Sequence, residues 1–503
     1  MKKRKNVSNQ ESQIDPELKE FLDKEREKAR LNRIKNKPIV VMTYMMVMVF
    51  LCMIGYIIYF MVKKADKVVA NPANSRQDSF SKFVSRGNIE TSDGVVVATT
   101  EINEAGEEIR KYPYDGLFAH TVGYNSYGRA GIELSENFDL LRSHVGVFSK
   151  ISNDLHNRKN PGDKVITTLD YGLQSTAAQA LGDARGAVVV LDADTGDVLT
   201  MYSSPTFNPN DMDNVWNSVH SEEGSESTVL LNRATQGMYA PGSTFKVITA
   251  LEYMREHKDY ESYTHICEGE GVFDGIEIRC SSGNVHGEVT LQDSIAQSCN
   301  TSFANIGENE INIDKLHNLA EDFLYNKELP LSISYYESQF VLDGKSDLTE
   351  IPQTVIGQGE TLTTPIHNAM IMQAICNGGV MMKPNLVKRI ESVEGEVQKK
   401  VKPKSCGTVI DGELANQIIP MLREVCLTGT ASGYLADKPY TCAGKTGTAE
   451  YDNNGNCNSW FVGFTNVDDP DIVVSVIVED YTSNQITGVS VASQIMDKYY
   501  EGH

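Results

Sequence analysis

Residues 39–62, IVVMTYMMVMVFLCMIGYIIYFMV, form a run of 24 residues without a charged side chain, followed at once by Lys63 and Lys64. A run of this length crosses a bilayer as a helix, whereas a secretory signal has a shorter apolar core and a small-residue cleavage site. The stretch KVVANPA, Lys67 to Ala73, has only a faint likeness to such a site, so the reading is an uncleaved anchor. The 38 residues before the run hold 12 Lys/Arg against 7 Asp/Glu, which puts the N-terminus in the cytoplasm and the bulk of the chain outside. That bulk carries a net charge of about −27 within a total of −22, which argues against nucleic acid as its partner. Residues 16–37 are charged nearly all round and read as a solvated juxtamembrane helix without chemistry.

The nine cysteines include no Cys-x-x-Cys pair, and the ten histidines show no paired ligand spacing. No metal and no cofactor is expected on that ground. Cys267 and Cys280 flank EGEGVFDGIEIR, where Asp274-Gly275 makes a hairpin turn. A two-residue turn pairs Phe273 with Ile276 and sets Cys280 opposite Gly269. A bulge would then bring the two thiols into disulfide range, the alternative being two buried thiols.

Beyond the anchor the chain changes character near residue 160. Residues 63–160 are turn-rich and β-leaning, with a hairpin signal in RGNIETSDGVVVATT, Arg86 to Thr100, and no gathering of acids, bases or nucleophiles. Residues 161–503 open on a strand-like PGDKVITTLD and a buried hairpin, GAVVVLDADTGDVLTMYSSP, Gly186 to Pro205. A polar excursion at 206–238 and a mostly helical stretch to about 330 follow. TCAGKTGTAEY, SWFVGFTNV and DIVVSVIVEDY read as three successive strands, closed by a helix in GVSVASQIMDKYY. Strands at both ends with helices between give an α+β domain.

Three motifs lie on this frame. YAPGSTFKV places Ser243 behind a Pro-Gly turn and Lys246 one turn on, at the head of an amphipathic helix with apolar Val247, Ile248, Leu251 and Met254. Alone, that pair reads as a capping serine and a solvated lysine. AQSCNTSF adds Ser298-Cys299-Asn300, and AGKTGTAE adds Lys445-Thr446-Gly447-Thr448 on the first late strand. Ser-x-x-Lys, Ser-x-Asn and Lys-Thr-Gly in this order are the signature set of penicillin-binding proteins and serine β-lactamases. No histidine occurs in any of them; Lys246 can serve as the base for Ser243 if its pKa is lowered, and Lys445 is a second cation that would lower it. Ser298 can relay a proton, Asn300 can hold a substrate amide, and Lys445, Thr446 and Thr448 can bind a carboxylate. Gly447 leaves room for an acyl group beside the strand.

Over almost its whole length the chain resembles class B penicillin-binding proteins. RGNIETSDG resembles that family's early Arg-Gly signature and GRAGIE its pedestal motif; LNRATQGMYAPGSTFKV, IGQGETLTTPIHNAMIMQAICNGGVMMKP and GKTGTAE resemble its transpeptidase core. The resemblance implies an anchor, a non-catalytic β-rich pedestal at 63–160, and a transpeptidase domain at 161–503. That domain would be an antiparallel sheet flanked by helices plus an all-helical subdomain. It implies a D,D-transpeptidase that forms an acyl-enzyme on Ser243 from the D-Ala-D-Ala end of peptidoglycan stem peptides, passes the acyl group to an amine, and is trapped by β-lactams. An oxyanion hole from the backbone N–H groups of Ser243 and Thr448 is implied in the same way, as is a SEDS-type polytopic glycosyltransferase as partner.

Rival readings share the chemistry. A D,D-carboxypeptidase would pass the acyl group to water. A membrane-anchored β-lactamase would need a deacylating base, and the Glu308-to-Asn312 stretch ENEIN follows Ser-x-Asn too closely to supply it. A β-lactam sensor would need more spans and a signalling module, and residues 65–165 are too few for a glycosyltransferase domain.

Overall fold

The structure is a computed structural model that describes residues 15–64, 75–221, 227–450 and 455–501. Residues 1–14 of the tail 1–38, and Lys67–Ala73, lie outside the described residues. The chain divides into two units between residues 71 and 72.

The first unit contains one helix, Pro16–Lys63, capped by the Asp15 side chain, which accepts from the Glu17 N–H. Charged segment and apolar run are thus one continuous helix, carried through Pro38. Every large apolar side chain from Ile39 to Tyr59 is exposed. Among the described residues this is the one helix long and apolar enough to cross a membrane.

The second unit is built on a five-stranded antiparallel sheet, in the order Cys442–Glu450, Cys457–Thr465, Ile472–Val478, Gly186–Asp192, Val198–Ser204. Its central strands are runs of β-branched residues buried on both faces, in the register Val188 to Val476 and Val190 to Val474. Helices Tyr171–Leu181 and Gly488–Glu501 pack on one face of the sheet, and Pro365–Cys376, buried along its whole length, on the other. The hairpins expected in 86–100 and 186–205, the three late strands and the closing helix are all present, and the fold class is α+β.

Two stretches differ from the expectation. Residues 264–290 are not helical but form two small two-stranded sheets between the helices. Within 206–238, Arg233, Ala234 and Thr235 are buried. The Arg233 guanidinium donates to Glu479 Oε1 at 2.7 Å, and the Tyr239 hydroxyl donates to the same oxygen at 2.7 Å.

A second, six-stranded sheet runs in the order Val397–Lys400, Val387–Glu391, Lys164–Thr167, Ile89–Glu90, Val96–Ile102, Glu108–Lys111. Lys164–Thr167 is its middle seam, parallel to Ile89–Glu90 and antiparallel to Val387–Glu391. Strands from either side of residue 160 therefore share one sheet. Beside it the region holds a charge cluster that the sequence spacing hid. Glu133, fully buried, accepts from Arg86 Nε at 2.5 Å and from Arg110 Nε at 2.7 Å. Arg86 belongs to the Arg-Gly signature and Glu133 to GRAGIE, so the two motifs are the halves of one buried ion cluster. It contains no nucleophile.

Candidate active site

Ser243 sits in the short 3₁₀ turn Gly242–Thr244, which feeds directly into the helix Lys246–Glu256. Gly242 has φ +53°, and a Cβ there would lie 2.6 Å from the carbonyl oxygen of Thr448. Only glycine lets the turn lie this close to the edge strand. Gly357, in IGQG, accepts the Gly242 N–H at 2.9 Å and has φ +81°. The helix is not half-exposed as an amphipathic reading expects: Lys246 through Met254 are all buried. Ser243 is half-buried and lines a cleft of about 750 Å³ with Ser298, Asn300, Thr446, Thr448 and Trp460. A cleft of similar size, about 780 Å³, opens beside Met254, Lys258 and Glu413, and neither serine, cysteine nor histidine lines it.

Ser298 occupies the bend between helices Leu291–Ala296 and Asn300–Asn305, the first of which starts in a capping box of Thr290 and Asp293. Its φ of +56° is a strained value for a residue with a side chain. The strain directs its groups at both lysines. Lys246 Nζ donates to the Ser298 carbonyl at 2.8 Å, to Ser298 Oγ at 3.4 Å and to Asn300 Oδ1 at 2.6 Å. Lys445 Nζ donates to Ser298 Oγ at 2.9 Å. Asn300 Nδ2 donates to the Arg279 carbonyl at 2.6 Å. The lysine ammonium nearest Ser243 in sequence is therefore anchored on the second motif, and one hydroxyl joins two cations.

Both lysines are fully buried. Burial, which disfavours the ammonium, pushes Lys246 down to about 8. Burial also lowers Lys445 well below its usual range, with the Lys246 charge as the next cause. The expectation that Lys445 depresses Lys246 needs correcting: desolvation dominates at Lys246, and the repulsion between the cations is felt at Lys445.

The edge strand presents its motif by alternation: Lys445 is buried, Thr446 half-buried, Gly447 buried and Thr448 exposed on the cleft side. Gly447 lines the cleft and also has a packing role. A Cβ there would meet Trp460 Cβ at 3.0 Å, Pro241 O at 3.1 Å and Thr244 Cγ2 at 3.1 Å, so its bareness lets the strand pack on the Ser243 turn. Trp460 Nε1 donates to Ala240 O at 3.0 Å and ties the next strand to the same turn.

Glu308 is engaged away from the cleft, accepting the Asp274 N–H at 2.7 Å, and Asn312 caps the helix Ile313–Asp322. The expected hairpin register is present, with Phe273 opposite Ile276 and the Cys280 N–H bonded to Gly269 O at 2.8 Å. The disulfide is not: Cys267 and Cys280 have Sγ atoms 3.7 Å apart and both are free thiols, against about 2.05 Å for a bond. Cys299 Sγ lies 3.8 Å from Cys280 Sγ, and His286 Nδ1 3.3 Å from Cys267 Sγ. Spacing rules missed this group. The one available signal was a third of the cysteines and a histidine falling within 267–299.

Residues 186–501 match the family described as "Penicillin binding protein transpeptidase domain", and residues 86–165 match the "Penicillin binding protein A dimerisation domain". The chain is 27% identical to the "Peptidoglycan D,D-transpeptidase PbpA" of Mycolicibacterium smegmatis, over 83% of its own length and 88% of that protein. It is 27% identical to "Stage V sporulation protein D" of Bacillus subtilis, over 86% and 72%. Among solved structures, the D,D-transpeptidase domain of a peptidoglycan glycosyltransferase from Eggerthella lenta superposes with a TM-score of 0.72 at 31% identity, covering 83% of this chain and 98% of that one. Penicillin-binding protein A of M. tuberculosis, solved as a ceftriaxone acyl-enzyme complex, superposes with a TM-score of 0.74 at 25% identity, covering 84% and 99%.

Proposed function

Since this chain belongs to the penicillin-binding protein transpeptidase family, we propose that it is a peptidoglycan D,D-transpeptidase with Ser243 as its nucleophile. The observation that carries the reading is the meeting of Lys246 and Lys445 on the Ser298 hydroxyl in the cleft that Ser243 lines.

In the proposed reaction Lys246, as the free amine, takes the Ser243 proton while Oγ attacks the carbonyl of the penultimate D-alanine. The developing oxyanion is held by the backbone N–H groups of Ser243 and Thr448. The proximity of the Gly242 turn to Thr448 supports that pairing. Ser298 carries the proton to the departing D-alanine amine. Lys445, Thr446 and Thr448 receive the terminal carboxylate. Asn300 spends Oδ1 on Lys246 and one Nδ2 hydrogen on Arg279 O, and keeps one N–H for the substrate's backbone. An amine from a second stem peptide resolves the acyl-enzyme, and a β-lactam stops at the first step. The ceftriaxone acyl-enzyme of the M. tuberculosis relative supports the β-lactam step.

The proposal extends to organisation: cytoplasmic tail 1–38, membrane anchor 39–62, non-catalytic pedestal 63–160, transpeptidase domain 161–503 facing outward. A SEDS-type polytopic glycosyltransferase would contact anchor and pedestal, which co-purification from membranes tests. A D,D-carboxypeptidase is the reading to separate from this one. Full-length protein given a stem pentapeptide and a labelled amine should yield the amide-linked product. Hydrolysed tetrapeptide alone would assign the carboxypeptidase.

A further inference from the structure

Cys267 ends the strand Thr264–Cys267, Cys280 follows the strand Ile276–Arg279, and Cys299 separates two helices. His286 lies in the loop before the strand Gly287–Thr290. The three sulfurs and one ring nitrogen all lie within 4.8 Å of one another. A tetrahedral zinc with Zn–S near 2.3 Å and Zn–N near 2.0 Å sets S···S edges of about 3.8 Å and S···N edges of about 3.5 Å. Of the six observed edges, Cys267–Cys280 is 3.7 Å, Cys280–Cys299 3.8 Å and Cys267 to His286 Nδ1 3.3 Å, and the other three lie within 4.8 Å. A disulfide would consume two thiols and strand the third with the imidazole, whereas a tetrahedral ion uses all four.

The surroundings point the same way. Cys267, Cys280 and Cys299 form, with Val289, a small buried cluster separate from the main core. The small sheets beside Cys267 and Cys280 are two-stranded, a size that holds little stability in isolation. Soft thiolates with one imidazole in a closed tetrahedron select zinc among the common metals.

We propose that Cys267, Cys280, His286 and Cys299 bind one zinc ion, and that this ion positions the Ser298–Asn300 turn of the active site. Cys299 lies between the hydroxyl shared by the two lysines and the amide that holds Lys246. Cys280 follows Arg279, whose carbonyl fixes the other end of that amide. Two ligands thus grip the turn from both sides, and the metal holds the strained backbone of Ser298. The four ligands are positioning residues. Metal binding stands independently of the function proposed above; the effect on acylation rests on it.

The test uses the full-length chain, purified in detergent without chelator, with metal measured by elemental mass spectrometry. One zinc per chain is expected. Cys267→Ser, remote from the cleft lining, should lose the zinc, and His286→Cys, which keeps four ligands, should retain it. Cobalt exchanged into the wild type should give thiolate-to-cobalt absorption with tetrahedral visible bands. Penicillin acylation should fall about tenfold or more on stripping the metal and return on adding zinc back. Metal-free wild-type chains, a native Cys267–Cys280 disulfide, or zinc undiminished in Cys267→Ser would each overturn the site. Should Cys267→Ser not fold, the cobalt spectrum of the wild type decides. Bound zinc whose removal leaves acylation unchanged would overturn the positioning role alone, and acylation absent from the zinc-loaded wild type would instead count against the proposed function.

Discussion

Lys445 and Ser298 stand 147 residues apart in sequence, yet the ammonium of one donates to the hydroxyl of the other at 2.9 Å. That bond closes the cleft between the helical part, which supplies Ser298, and the sheet, which supplies Lys445. Ser298 Oγ, reached by Lys246 as well, is thus the one hydroxyl that both ammonium groups share, and in the proposed reaction it is the junction of the proton path from Ser243.

Ser243→Ala should abolish the penicillin adduct that intact mass spectrometry finds on the Ser243 peptide. Ser243 lies inside the turn and Pro241 is its N-cap, so the stability cost should not exceed the 1 kcal/mol or so of a lost cap. Stoichiometric labelling of a folded Ser243→Ala protein would overturn the assignment.

With the free amine of Lys246 as the proposed base, acylation should rise with pH through a midpoint near 8, where burial places the pKa of that lysine. Below the midpoint the rate should drop about tenfold per pH unit. Stability carries the same sign. The folded pKa lies below the unfolded one, so the folded state binds fewer protons and stability rises between about 8 and the ordinary 10.5. A rate flat from about pH 6 to about pH 9 would remove Lys246 as the base.

Lys445→Ala should lower kcat/KM for a peptide ending in a free carboxylate by about 100-fold, and for its C-terminal amide by distinctly less. The substrate comparison isolates carboxylate recognition from the proton path. Equal losses on both would assign Lys445 to the proton path only.

Glu133→Gln should destabilise the fold by about 3–5 kcal/mol, since it leaves two buried guanidiniums without their anion. Burial alone would raise the Glu133 pKa, but Arg110 and Arg86 outweigh it and hold it below the usual range. Its stabilisation is therefore present above the unfolded carboxylate value and lost as pH falls through the folded one. Penicillin acylation of the folded fraction should be unchanged. A slower rate in well-folded Glu133→Gln protein would give the pedestal a part in the chemistry.

The legible parts of this molecule were the local ones. The order of the three motifs, the Asp274-Gly275 turn with Phe273 facing Ile276, and the valine-rich strands each have a signal within a few residues. Depth and distant pairing have none. Nothing near Lys246 says that its helix is buried on every side, so the cause of its lowered pKa was misjudged. Nothing in VKRIE says that Val387–Glu391 will lie against Lys164–Thr167. Arg86 and Glu133 were visible as two motifs and invisible as one ion pair. The cysteine group escaped because its ligands come from separate elements, with 12, 5 and 12 residues between them, instead of one compact knuckle.

The six-stranded sheet also sets an order of assembly. Its seam strand, Lys164–Thr167, can pair with Ile89–Glu90 early, but its other edge waits for Val387–Glu391. In a chain synthesised from the N-terminus, roughly 220 residues must follow before that edge is covered, and long-range closure of this kind is slow. Until then the half-built sheet shows an open edge, the kind of surface that recruits a chaperone or a neighbouring chain. Nascent chains arrested before residue 387 should therefore be cut readily by protease near 164–167, and chains arrested beyond 400 should resist.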